Sequence, residues 1–144
     1  MLYSNILLAY DGSKASTKAF QHAVALAKLS PGAKLHVVHV YAFPRLYIGE
    51  ALAPIPASVN KDVYDVAVET TEKAEQLLKE SGVDGTVELI QGGAAETILD
   101  YAKTHSCDVI VIGSRGLGGI REFVLGSVSH NVVQHAIVPV LVVK

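Results

Sequence analysis

Asp108-Val109-Ile110-Val111-Ile112-Gly113-Ser114-Arg115-Gly116 is the stretch that decides the fold. Val109 to Ile112 are all β-branched with no polar alternation, which describes a strand buried on both faces. Such strands belong to parallel sheets covered by helices. The run ends in glycine, serine and arginine where the chain must leave the sheet. Outward from it, four more runs rich in Val, Ile and Leu predict strands at Asn5–Tyr10, Lys34–Tyr41, Thr86–Gln91 and Val138–Lys144.

Helical patterns separate these runs. Ala15, Ala19, Phe20, Ala23, Val24 and Ala27 recur at three and four and make one apolar stripe. Ser13 is placed to cap that helix, and Ser30-Pro31-Gly32 to end it. Val63, Val66, Ala67, Thr70, Ala74, Leu77 and Leu78 make a longer stripe that stops at Ser81-Gly82. Ala95, Ile98, Leu99 and Ala102 make a third, and Val128, Val132, Val133 and Ala136 a fourth that stops before Pro139. The order β-α-β-α-β-α-β-α-β predicts an α/β fold: a single-domain, doubly wound, five-stranded parallel sheet with four helices on two faces and right-handed crossovers. Ala42–Asn60 holds Pro44, Pro54 and Pro56 and shows no clear period. It reads as a long, mobile connection, either a plain surface loop or a flap over a ligand.

The chain of 144 residues fits one domain spanning 1–144, long enough to bury a core without disulfide or metal staples. Half the residues are hydrophobic and 18% are charged, which excludes a disordered chain. The net charge is −2 and there is no long Lys/Arg run, which argues against nucleic acid or an anionic membrane as main partner. Cys107 is the only cysteine, so no intramolecular disulfide forms, as fits a reducing compartment. Its place before an apolar run makes it a small buried hydrophobe rather than a redox group. The N-terminus enters a strand-like run with no basic leader, and no apolar stretch approaches the ~20 residues of a membrane span. The expected localisation is cytoplasmic.

In open α/β sheets, ligands bind beyond the carboxyl ends of the strands. Asp11-Gly12-Ser13 falls at one such end and Gly113–Gly119 at another, the latter leading to Gly126-Ser127 at the start of the last helix. Glycine admits positive φ and lets an anion approach the backbone amides. A helix N-terminus offers unpaired N–H groups, and a Gly-rich turn can form an anion nest. Ser114 and Ser127 add hydroxyls and Arg115 a guanidinium, so the loop is a candidate phosphate site; the other reading is that the glycines only make turns. The Walker pattern is absent, and Gly116-Leu117-Gly118 fails as a dinucleotide fingerprint because Arg121 stands where the third glycine belongs. His36 and His39, three apart on a strand, point to opposite faces and cannot share a metal. With no Cys pair, no H-E-x-x-H and no G-x-S-x-G, neither a zinc site nor a hydrolase elbow is expected. No catalytic residue is assigned.

Gly113-x2-Gly116-x9-Gly126-Ser127 resembles the universal stress protein pattern G-x2-G-x9-G-[ST], with all four defined positions filled. Ile6 to Ser13 resembles that family's first strand and its Asp, and His39-Val40 its adenine-side pair. Gly92-Gly93-Ala94 followed by Ile98 resembles its third βα turn, with Ala where Pro is common, and Pro139 to Val143 its closing strand. Only Ala42–Asn60 carries no such match. The resemblance implies strand order 3-2-1-4-5 and a bound ATP, with AMP or ADP as alternatives, accompanied by Mg2+. It would put Gly113, Gly116, Gly126 and Ser127 around the phosphates and ribose, with Ser114 and Arg115 in the same loop. Val40 would meet adenine through its backbone, and Asp11 would sit on the ribose or magnesium side; a helix cap is the other reading of Asp11. The apolar last strand, Val138–Lys144, would expose an edge unless it paired with a second copy, and the resemblance likewise implies a homodimer there. The expected function is a regulatory ATP-binding module of the stress response with little or no catalysis. The alternatives are a slow ATPase or phosphoryl-transfer enzyme, and a stress-response dimer that binds no nucleotide.

Overall fold

The computed structural model describes residues 2–115 and 125–144. The five apolar runs become five parallel strands: β1 (Asn5–Ala9), β2 (Lys34–Tyr41), β5 (Gly85–Gln91), β6 (Val109–Gly113) and β7 (Val140–Val143). They lie in the order β5-β2-β1-β6-β7, which is 3-2-1-4-5 when these strands alone are counted along the chain. β1 sits centrally, and Ile6, Leu7 and Leu8 have no exposed surface. Burial of side chains of this size stabilises by roughly 1.5–3 kcal/mol each.

Period-two alternation sends each central strand's side chains to both faces. Ile6, Leu8, Leu35, Val37, Val109 and Val111 meet Phe20 and Ala23 of α1 (Lys14–Leu29) and Ala74 and Leu78 of α2 (Ala57–Ser81). Leu7, Val38, Ile110 and Ile112 meet Ile98 and Tyr101 of α3 (Ala94–Thr104) and Val132 of α4 (Ser127–His135). Both faces of the sheet are thus covered by two helices, as continuous apolar strands require.

The long connection after β2, read as a surface loop or a flap, contains regular structure. It carries a hairpin, β3 (Leu46–Ile48) and β4 (Ala51–Ala53), closed by a two-residue turn with Gly49 at φ +66°. Leu46, Tyr47, Ile48 and Leu52 are exposed, so no apolar-in, polar-out alternation marked these strands. α2 also starts earlier than its stripe, at Ala57, directly behind Pro56. Its buried line is Ala67, Thr71, Ala74 and Leu78; Thr71 is sheltered with its hydroxyl donating to the Ala67 carbonyl at 2.9 Å, while Val66 is 61% exposed.

Candidate functional site

The first wall of the site is the turn from β1 into α1. Ser13 is the N-cap, its Oγ accepting from the Ser16 N–H at 3.1 Å, as its position in the sequence predicted. Asp11 is not the cap. Its Oδ1 accepts from the Ser13 N–H at 2.9 Å and folds the turn that Gly12 completes at φ +82°. The carboxylate is thereby fixed at the carboxyl end of the central strand.

The second wall is the end of β2. The Tyr10 N–H donates to the Val38 carbonyl at 2.9 Å, so the peptide groups of Val38 face β1. Peptide groups in a parallel ladder alternate sides, which turns the N–H and C=O of Val40 the same way. There β1 has already ended at Ala9 and the chain has turned off toward α1. The polar edge of Val40 therefore opens onto the space that β1 vacates. His39 Nδ1 lies 2.8 Å from the Tyr10 carbonyl; a carbonyl only accepts, so Nδ1 carries the proton and ties the exit of β1 to β2.

The third wall is β6 with the N-terminus of α4. A Cβ on Gly113 would lie 2.9 Å from Ala15 C, Ala15 Cβ and Ser16 N, so glycine here lets the first turn of α1 press against β6. Gly126 is the N-cap of α4 at φ −63°, ψ 162°, a conformation open to any residue. Neither glycine serves a positive φ, which corrects that part of the sequence argument. Ser114 is buried: its N–H donates to the Val143 carbonyl at 2.7 Å. Its carbonyl accepts from the Gly126 N–H at 2.8 Å and from Ser129 Oγ at 2.7 Å. These bonds close the two ends of the Gly-rich segment onto each other. Gly116 lies outside the described residues.

The three walls enclose one cleft of about 360 Å³. Asp11, Val40, Gly113, Arg115, Gly126 and Ser127 all line it, together with Tyr10, Ser16, His39, Ala94, Ile98 and Ser129. Asp11 and Gly113, far apart in sequence, meet at the switch point between β1 and β6. Ser114 sits behind this wall. The first intrahelical bond of α4 runs from His130 N to Gly126 O, so the N–H groups of Ser127, Val128 and Ser129 precede it. α3 likewise begins at the cleft, with Gly93 as its N-cap and no side-chain capping bond. Cation and amide donors, the Asp11 carboxylate and Val40 thus all border the same cleft. Among the described residues no group of three His, Cys, Asp or Glu could hold a metal ion. Sequence reasoning missed Ser129, whose hydroxyl also reaches the Gly126 carbonyl at 3.1 Å; its spacing of three from the N-cap was the available signal.

The universal stress protein family model matches residues 2–144. The chain belongs to that family. A curated relative, the universal stress protein YxiE of Bacillus subtilis, is 34% identical over 149 residues, covering 99% of this chain and all of the relative. A universal stress protein solved in complex with cAMP superposes with a TM-score of 0.74 at 26% identity, covering 100% of this chain and 99% of the other. The universal stress protein of Archaeoglobus fulgidus in complex with dAMP gives 0.72 at 26% identity, with both chains fully covered. In this universal stress protein the fold, sheet order and central switch point are those the G-x2-G-x9-G-[ST] reading implied.

Proposed function

We propose that this chain is a regulatory ATP-binding module of the stress response, with little or no catalysis of its own. One observation carries the reading: the N-terminus of α4, Arg115 and Val40 at the end of β2 converge on a single cleft. Its volume of about 360 Å³ is in the range of small-molecule sites. Adenine presents a donor and an acceptor side by side, which Val40 C=O and N–H complement. The phosphates lie along Gly113, Gly116, Gly126 and Ser127, where the helix N-terminus and Arg115 favour negative charge. Adenine nucleotides bound by the cAMP and dAMP complexes above support the base, and leave ADP and AMP as competing ligands here.

Asp11 holds the ribose or the Mg2+ that accompanies the phosphates. One carboxylate fits a magnesium brought by nucleotide, since Mg2+ usually takes one or two protein carboxylates plus phosphate and water. With one Asp11 oxygen engaged by the Ser13 N–H, this residue is better suited to positioning than to accepting a proton. The module acts as a homodimer in the cytoplasm, with neither nucleic acid nor membrane as partner. Among the described residues β7 pairs with β6 alone and lies at the sheet edge, with Leu141 and Ile137 exposed, which supports pairing of Val138–Lys144 with a second copy.

Calorimetric titration with ATP·Mg2+ tests the site. Gly126→Val abolishes binding and keeps the fold, because φ −63°, ψ 162° suits Val and only the added side chain intrudes on the phosphates. Gly116→Val does the same. Ser127→Ala loses one donor, worth roughly 0.5–1.5 kcal/mol, or up to ~3 against a charged phosphate. Unchanged affinity in both Val variants overturns the assignment. Steady phosphate release by the wild type would favour the slow-ATPase alternative.

A further inference from the structure

A second cavity, of about 230 Å³, opens on the same face of the sheet but away from the nucleotide cleft, with which it shares no lining residue. Leu99 and Ala102 of α3, Cys107, Ile110 of β6, and Ala136 and Val138 after α4 make its walls. These walls are apolar, and an open recess of this character favours a ligand with an apolar body. A cavity of about 150 Å³ suffices for a benzene ring, so this one holds a body of about eight to ten heavy atoms. Lys103, His135 and Ser106 supply the polar groups of its lining, which contains no Asp or Glu.

Among the residues that line the cavity, Lys103 is the permanent cation and there is no carboxylate. Lys103 is exposed in the last turn of α3, and the only ion pair among the described residues is Lys61–Asp65 elsewhere. The neighbouring acid, Asp108, acts on Cys107 by its charge, but both its oxygens are engaged, accepting from the Ser4 and Asn5 N–H groups at 2.8 and 3.2 Å. His135 Nδ1 is spent on the Asn131 carbonyl at 3.0 Å. Lys103 is therefore the cation available to a ligand whose apolar part fills the cavity.

We infer that this cavity is a second ligand site, which takes a small organic monocarboxylate with its compact apolar body among Leu99, Ile110 and Val138 and its carboxylate at Lys103. The inference is independent of nucleotide binding. Two-dimensional amide NMR of the full chain tests it with three probes: benzoate, the neutral benzyl alcohol, and acetate, which lacks the apolar body. Benzoate is expected to shift the amides of Ala102, Cys107, Ile110, Ala136 and Val138 along saturating curves. Benzyl alcohol shifts the same amides with weaker affinity, and acetate does not saturate. Lys103→Gln, an exposed substitution, lowers benzoate affinity about threefold to tenfold and leaves benzyl alcohol unchanged. Ala136→Leu fills the cavity and removes both responses; its spectrum and melting curve report whether it folds. Shifts that fail to saturate, or that map to the nucleotide cleft, overturn the site. Equal loss of benzoate and benzyl alcohol binding in Lys103→Gln overturns the carboxylate assignment, and so does no loss of either.

Discussion

Gly113→Ala isolates the mechanical part of the glycine motif. The added methyl would stand 2.9 Å from Ala15 C, Ala15 Cβ and Ser16 N, against about 3.5–4.0 Å for an ordinary carbon contact. Two of those three atoms are backbone atoms in the first turn of α1, so no side-chain rotation relieves the clash. α1 cannot recede freely, because Ser13 caps it and Phe20 and Ala23 are buried against the sheet. Overpacking of this kind costs about 1–3 kcal/mol. At about 3 °C per kcal/mol for a chain of this size, the melting temperature falls by about 3–9 °C. Differential scanning calorimetry of the nucleotide-free protein reads this directly, since the clash is present with or without ligand. A melting temperature equal to the wild type's would refute the tight α1–β6 contact and return Gly113 to a role in the phosphate site alone.

Ser106 stands at φ +52° in the position after the C-cap of α3, where Cys107 N–H bonds the Ala102 carbonyl at 2.8 Å and Ser106 N–H the Lys103 carbonyl at 3.3 Å. Glycine is the residue this cap geometry favours, so Ser106→Gly raises stability by about 1 kcal/mol, measured by urea unfolding. His36 is held below its ordinary pKa of 6.5, first by burial and then by Lys34 and His105. The unfolded chain then binds the proton more readily than the folded one. Stability from this group is complete above pH 6.5 and declines as pH falls below it, and His36→Gln flattens that decline in unfolding curves taken from pH 7.5 to 5. Burial, with Asp108 adding, pushes the Cys107 thiol up to about 11. At pH 8 a thiol reagent therefore labels Cys107 only as fast as the chain opens, and labelling at the rate of free cysteine would contradict its burial.

The sheet was legible because its signal is dense: Ile6 to Leu8 and Val109 to Ile112 can only be strands covered on both sides. The hairpin was not, because Leu46, Tyr47, Ile48 and Leu52 lie exposed on three-residue strands where period carries no burial information. α2 was read correctly at its end and at Ala67, Ala74 and Leu78 of its buried face, but its start at Ala57 precedes the stripe that begins at Val63. Thr71 rather than Thr70 turns inward, and a hydroxyl satisfied by its own helix leaves no mark in hydropathy. At the site, Asp11, Val40, Gly113, Arg115, Gly126 and Ser127 were named from sequence and do share one cleft. The reason for glycine at 113 and 126 was not legible, since close approach of α1 and a cap at negative φ are facts of tertiary packing. For Ser129 the spacing from the Gly126 cap was a local signal, but its bond to the Ser114 carbonyl joins a partner brought near only by folding.

ATP is proposed to occupy the cleft at the β1–β6 switch point. Isothermal titration of the nucleotide-free wild-type chain with ATP·Mg2+, followed by the same titration with GTP·Mg2+, tests it most directly. Saturable binding of one ATP per chain is expected, with GTP weaker because guanine presents the reversed donor and acceptor to the Val40 peptide edge. No saturation with ATP up to millimolar concentration, or equal affinity for both nucleotides, would contradict it.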